Sequence, residues 1–234
     1  MLSTKLDLEK IKAVLIDLDG TLVDTVGDFT AALNAMLSDM PPPYSLAQVD
    51  EGQVRRWVGK GSEYLIQSVL HSIDKEAGLS SETLLRSAFS QYQLHYKIVN
   101  GKHAAIYPGV IHALDHFRHR GWAMVCVTNK PTEFAIDLLS DKALLSHFNF
   151  VLGGDAFIYK KPHPMPLLKA CEKLGTLPKH TLMIGDSSND AMAARAAKCP
   201  VLLMTFGYNH GEPIRAVDAD GFVDDWVDFS GAAF

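Results

Sequence analysis

The sequence predicts an α/β fold, a doubly wound parallel sheet interrupted by one all-helical insertion, and three observations carry that expectation. Short apolar runs recur at 13–16, 123–127, 150–152, 181–184 and 201–204, each closing on a polar or glycine-containing turn. Such runs are the signature of strands buried on both faces of a sheet. Helix-period segments alternate with them at 110–120, 132–145, 166–174 and 189–197. That alternation predicts a Rossmann-like parallel sheet with helices on both faces. The stretch 24–106 differs, because helical periodicity runs through it with no convincing strand.

Within that stretch, Val26, Phe29, Ala32, Leu33, Met36 and Leu37 repeat as one apolar helix face. Further helices are expected at 63–73 and 82–96. Met40-Pro41-Pro42-Pro43 separates the first from the rest, since proline cannot continue a helix. The expected division is a core domain of residues 1–23 and 107–234 and a helical cap domain of residues 24–106. Near the end, Phe222, Trp226 and Phe229 read as a final strand and turn packed on the core rather than a ligand platform.

Composition bounds the function. The 234 residues carry 22 Lys+Arg against 27 Asp+Glu, a net charge of −5, with 47% hydrophobic and 21% charged residues. A chain of this size and composition can bury about 70–75% of its unfolded surface, which rules out disorder as its main state. No dense basic run is present, so a nucleic-acid partner is not expected. A small anionic substrate remains open. Cys126, Cys171 and Cys199 are far apart, lack a Cys-x-x-Cys pairing and read as reduced thiols. No signal-peptide core or membrane span is read from the sequence. The expectation is a cytoplasmic monomer or small homo-oligomer.

Chemistry in a parallel sheet sits at the carboxyl ends of its strands, and four loops there hold unusual residues. The first strand runs into Asp17-Leu18-Asp19-Gly20-Thr21-Leu22-Val23-Asp24. Two carboxylates one residue apart can divide nucleophilic attack and proton transfer between them, and Gly20 lets the chain turn away. Val127-Thr128-Asn129 offers a hydroxyl and an amide before a helix whose free N–H groups could bind an anion. Lys160-Lys161-Pro162-His163-Pro164 follows the 150–152 strand, its prolines fixing the local backbone. Gly185-Asp186-Ser187-Ser188-Asn189-Asp190 closes the 181–184 strand. Ser188 is expected to cap the next helix and Asp190 to favour its N-terminus, which leaves Asp186 at the strand tip unexplained.

In order, DLDGTLVD, VTN, KKPHP and GDSSND resemble the four motifs of the haloacid dehalogenase-like superfamily, and the helical insertion is similar to that family's first type of cap. The resemblance implies phosphoryl transfer through an aspartyl-phosphate, with Asp17 as nucleophile and Asp19 as acid/base. It implies Mg²⁺ held by Asp17, the Asp19 carbonyl and Asp186, with Asp190 orienting a metal-bound water or assisting the ion. Thr128, Asn129 and Lys161 are implied to bind the phosphate, Lys161 being preferred to Lys160 because it directly precedes the proline. Cations are needed there on physical grounds. A carboxylate approaching a phosphate oxygen costs about 4 kcal/mol per unit-charge pair at 4 Å with an effective dielectric near 20.

Within the superfamily, Asp19 argues for phosphate esters, because a departing halide needs no proton. Sugar-phosphate mutases share it, but the nearest of them carry a further acid where this chain has Gly185. Substrate choice is expected from the cap string Arg55-Arg56-Trp57-Val58-Gly59-Lys60-Gly61-Ser62, with Gly59, Lys60 and Gly61 as candidate substrate contacts. A P-loop reading fails there, since Val54 and Gly61 stand where glycine and Ser/Thr are required. The string, the KKPHP context and Thr205-Phe206-Gly207-Tyr208-Asn209 resemble bacterial phosphoglycolate phosphatases, so the leading expected substrate is 2-phosphoglycolate. The alternatives are another sugar-phosphate or nucleotide phosphatase, a sugar-phosphate mutase, and a non-catalytic binding protein on the same scaffold. His112, His116 and His119 read as a solvated helix face, lacking a third placed ligand.

Overall fold

A computed structural model describes residues 7–74 and 82–230. Six parallel strands form its main sheet: β1 (Ala13–Ile16), β4 (Ala123–Val127), β5 (Phe150–Leu152), β6 (Thr181–Gly185), β7 (Val201–Met204) and β8 (Gly221–Val223). Their spatial order is β5-β4-β1-β6-β7-β8, the reversal about β1 that defines a doubly wound sheet. The expected architecture is present, and all five apolar runs fall on strands.

The strands are apolar throughout because both faces are covered, and alternate side chains feed two separate cores. Val14, Ile16, Met124, Cys126, Leu182 and Ile184 join one cluster with Val110, Leu114 and Phe117 of α5 (Val110–His119) and Leu138 of α6 (Thr132–Asp141). Leu15, Val125, Val127 and Met183 join the other with Leu167 and Ala170 of α7 (Met165–Leu174) and Ala193 and Ala194 of α8 (Ser188–Ala197). The helix expected over 132–145 stops earlier. Ala143 adopts φ 56°, the Leu144 N–H turns back to the Leu139 carbonyl, and a 3-10 turn covers Leu145–His147. The aromatic tail behaves as expected: β8 is followed by a 3-10 turn at Trp226–Ser230, with Trp226 and Phe229 fully buried.

Between β1 and β4 lie α1 (Val26–Ser38), α2 (Glu51–Arg55), α3 (Ser62–Ile73) and α4 (Glu82–Val99). Their apolar faces build a third cluster, into which Phe134 of α6 and Tyr208 also reach. Two features were not read from the sequence. Helix α2 is one short piece, started by a reciprocal capping box between Asp50 and Gln53. A two-residue antiparallel ribbon, β2 (Val23–Asp24) with β3 (Ala105–Ile106), ties the entry and exit of the helical segment together. Residues this few give no periodicity, and only the pairing makes them strands. Asp28 in α1, fully buried, accepts the N–H groups of Gly101 and His103 at 2.7 Å each and so fixes the returning chain. Among the described residues, no helix is long and apolar enough to cross a membrane.

Candidate active site

Asp17, Thr128 and Asp186 are the first residues beyond the carboxyl ends of β1, β4 and β6. These three strands are neighbours, so the sheet itself lays their side chains along one edge. The long turn after β5 returns Lys161 to the same place. Its buried ammonium donates to the Val127 carbonyl at 2.7 Å and to Asp190 Oδ1 at 2.6 Å, and lies 2.9 Å from Asp17 Oδ1. Lys160 instead rests beside Gly61, so of the two lysines it is Lys161 that reaches the carboxylates.

Asp190 arrives by helix capping. The structure corrects the expected cap: Ser187, not Ser188, opens α8, in a capping box with Asp190. Asp190 Oδ2 accepts from Ser187 Oγ at 2.7 Å and from the Ser187 N–H at 3.1 Å, which leaves Oδ1 facing Lys161. Asp186 is held by Thr21 Oγ1 at 3.0 Å and by the Tyr208 N–H. Tyr208 donates its hydroxyl to Asp24, whose other oxygen pairs with Arg55 at 2.8 Å. The loop behind the acids is thereby tied to the base of the helical segment.

One carboxylate oxygen from each of Asp17, Asp186 and Asp190 lies within 4.8 Å of the others, the only such group among the described residues. Of the α5 histidines, His112 and His119 are exposed as expected, whereas His116 departs from the expected solvated face: it is only partly exposed and its Nε2 is buried. Burial pushes the Asp17 carboxyl up to about 7; Lys161 opposes this, while Asp190 and Asp19 add to it. Burial together with Asp17 and Asp190 also raises Asp186 well above the usual carboxylate range. Asp17 Oδ1, despite its ion pair, is buried with no donor in hydrogen-bonding geometry. Three close, hard oxygen donors short of positive charge fit a small divalent cation such as Mg²⁺.

Asp19 faces the other way. Its carboxylate pairs with Lys130 Nζ at 2.9 Å, and that ammonium also donates to the Tyr96 hydroxyl. It lies 4.8 Å and 4.7 Å from the ring centroids of Phe29 and Tyr96. The pair is nearly dry, with side-chain exposures of 2% and 11%. Sequence reading passed over Lys130, although it directly follows Asn129, because nothing local shows that its ammonium meets Asp19 from the far side of the cavity.

The space between these groups is a small cavity of about 40 Å³, where one water takes roughly 10–15 Å³ of such space. Asp17, Asp19, Thr128, Asn129, Lys130 and Lys161 form its floor, and Phe29, Leu65, Tyr92 and Tyr96 its roof. Gly59 and Gly61 line it too, at φ 106° and 96°, backbone that glycine adopts without strain. Lys60 does not line it; its ammonium sits 4.8 Å from the Tyr64 ring centroid. The Gly59 carbonyl accepts from Asn129 Nδ2 at 3.0 Å and from Asn189 Nδ2 at 3.1 Å. Asn129 Nδ2 also bonds the Lys161 carbonyl at 2.8 Å, so its amide fastens the helical segment to the sheet in this closed arrangement.

The order and placement of these groups agree with a family comparison. The model of the haloacid dehalogenase-like hydrolases matches residues 14–204. This chain belongs to that family. It is 38% identical over 221 residues to a phosphoglycolate phosphatase of Nitrosococcus oceani, covering 94% of this chain and 96% of the relative. To a phosphoglycolate phosphatase of Nitrosospira multiformis it is 40% identical over 214 residues, 91% of each chain. A crystal structure of a predicted phosphoglycolate phosphatase from Haemophilus somnus superposes with a TM-score of 0.88 at 33% identity, covering 94% of this chain and 97% of that one. The fold also resembles a putative β-phosphoglucomutase from Thermotoga maritima, with a TM-score of 0.71 at 20% identity over 94% and 96% of the two chains.

Proposed function

We propose that the protein hydrolyses a small phosphate monoester through an aspartyl-phosphate on Asp17, with 2-phosphoglycolate as its substrate. One observation carries the mechanism: two carboxylates one residue apart face different cations, Asp17 toward Lys161 and Asp19 toward Lys130. Attack and proton transfer are thus separated in space. An Asp17 oxygen forms a bond to phosphorus as the ester P–O bond breaks, and Asp19 gives its proton to the departing alkoxide. Asp19 then takes a proton from the water that attacks the acyl phosphate, which regenerates Asp17 and releases inorganic phosphate. Thr128 and the Asn129 main-chain N–H hold phosphate oxygens, and Lys161 offsets their charge against Asp17. Asp17, the Asp19 carbonyl and Asp186 would hold Mg²⁺, with Asp190 beside them, and the ion would supply the further positive charge that lets one anion approach another.

Residues 24–106 act in this reading as a cap that excludes water and, by the small size of the cavity, favours a short leaving alcohol. The names of the relatives support phosphoglycolate in particular. A mutase fits less well, because a side chain at Gly185 would bring its Cβ to 2.3 Å from Asp190 Cγ, leaving no room for the further acid. The three buried free thiols suit a reducing cytoplasm.

The test is phosphate release with Mg²⁺ from a panel of esters. Phosphoglycolate is expected to have the highest kcat/KM, and Asp17→Asn should lower turnover by about a thousandfold or more. Turnover retained in that variant would remove Asp17 as nucleophile. A better sugar phosphate or nucleotide would remove the substrate while leaving the chemistry intact.

A further inference from the structure

Lys161 and Lys130 are the two cations lining the cavity, and they are not equivalent. Lys161 is committed to the Val127 carbonyl and Asp190, with Asp17 beside it as an ion-pair partner. Lys130 stands at the Asp19 end, where the leaving alcohol must lie if Asp19 protonates it. It uses two of its three N–H donors, on Asp19 and on the Tyr96 hydroxyl, and aromatic faces occupy much of its remaining surroundings. A second, independent feature lies in the same roof. Tyr92 lines the cavity with a side chain only 1% exposed, and its buried hydroxyl has no hydrogen-bond partner. Burying a hydroxyl without a partner is unfavourable, and a ligand that accepts from it would remove that cost. The cation expected from the cap loop is elsewhere, since Lys60 rests on Tyr64 outside the cavity.

We infer that Lys130 and Tyr92 form the subsite for a carboxylate on the leaving alcohol, one oxygen taking the free Lys130 N–H and the other the Tyr92 O–H. The site is thereby built for phosphate esters of small hydroxy acids and selects against neutral alcohols of the same length. A carboxylate has two acceptor oxygens and a full charge, which matches one ammonium and one hydroxyl in a water-poor enclosure. The inference rests on the proposed phosphatase reading and adds the residues that choose its substrate.

The experiment compares kcat/KM for phosphoglycolate with that for ethyl phosphate, in which an uncharged methyl group replaces the carboxylate. In the wild type phosphoglycolate should be strongly preferred. Lys130→Met should reduce that preference about a hundredfold, Lys130→Arg should restore part of it, and Tyr92→Phe should reduce it about tenfold with the ring packing kept. Lys130 also touches Asp19, so a loss shared equally by both esters would show that it serves only the acid, and would overturn the inference. Preference lost in Lys60→Ala but kept in Lys130→Met would overturn it too. Should Lys130→Met fail to fold, Tyr92→Phe decides, and an unchanged preference there counts against the subsite. If the wild type does not prefer phosphoglycolate, the proposed substrate is wrong. The subsite then stands only if 2-phospholactate or 3-phosphoglycerate is preferred to ethyl phosphate in a way that Lys130→Met abolishes.

Discussion

Asp17 illustrates how one residue's surroundings set its chemistry. Its carboxyl, pushed up to about 7 by burial, holds its proton more tightly in the folded chain than in the unfolded one, whose ordinary value is about 3.9. Between those two values the native state binds more protons than the unfolded state. Stability of the metal-free protein should therefore fall as pH rises through that window. Mg²⁺ at the three carboxylates would reverse the effect by rewarding the ionised form. The gain in Tm on adding Mg²⁺ is expected to be larger near about pH 7.5 than near about pH 5.5, and to shrink in Asp17→Asn. A Tm gain independent of pH would mean that the ion binds elsewhere. That Asp17, Asp19, Asp186 and Lys161 gather at one edge of the sheet was legible through the motifs that resemble the family's. Lys130 and Tyr92 were not, since a lysine beside a helix start and a tyrosine on an apolar helix face each have an ordinary explanation.

At the scale of elements, the acids depend on loops that carry no charge. Gly207 lies against Asp186: a Cβ there would stand 2.2 Å from Asp186 Oδ2 and 2.5 Å from the Gly20 carbonyl. Gly207→Ala should displace the carboxylate, lower activity roughly 10–100-fold and raise the Mg²⁺ concentration needed for half activity by a similar factor. A variant with normal Mg²⁺ dependence would show that the loop can yield without moving Asp186. The same loop supplies Tyr208, whose hydroxyl accepts the N–H groups of Thr25 and Val26 at 2.9 and 3.1 Å. Loop 205–209 therefore connects Asp186 to the first turn of α1. Its sequence suggested a resemblance but not a function, because hydrogen bonds between residues some 180 positions apart leave no periodic trace.

At the scale of the molecule, a thin sheet must keep its strand tips in register for the site to exist. Phe117 is fully buried and stacks on Trp122 with ring centroids 5.3 Å apart, meeting the Phe229 ring edge-on at 5.4 Å. That cluster backs β1 and β4 on one face. Phe117→Ala should cost about 3–5 kcal/mol through lost burial and the cavity left behind, seen as a lower urea midpoint with an unchanged m-value. It should leave the KM of the surviving folded enzyme near that of the wild type, because the second core still holds the other face. A changed KM would show that the two cores are coupled through the sheet.

The sequence by itself determined the strands of the sheet, the three longer helices of the insertion and the four loops that hold the acids, hydroxyl and lysine. Each of these is local: burial on both faces writes a continuous apolar run, a helix writes a 3.6-residue period, and a reacting group must be of a particular type. The tertiary structure alone decided which lysine faces which carboxylate, that Ser187 rather than Ser188 opens α8, and that a two-residue ribbon closes the root of the helical segment. It also decided that Gly59 and Gly61 line the cavity while Lys60 does not, and that Lys130 joins Lys161 there. Those outcomes depend on distances between elements that the chain brings together only on folding, so no stretch of sequence records them.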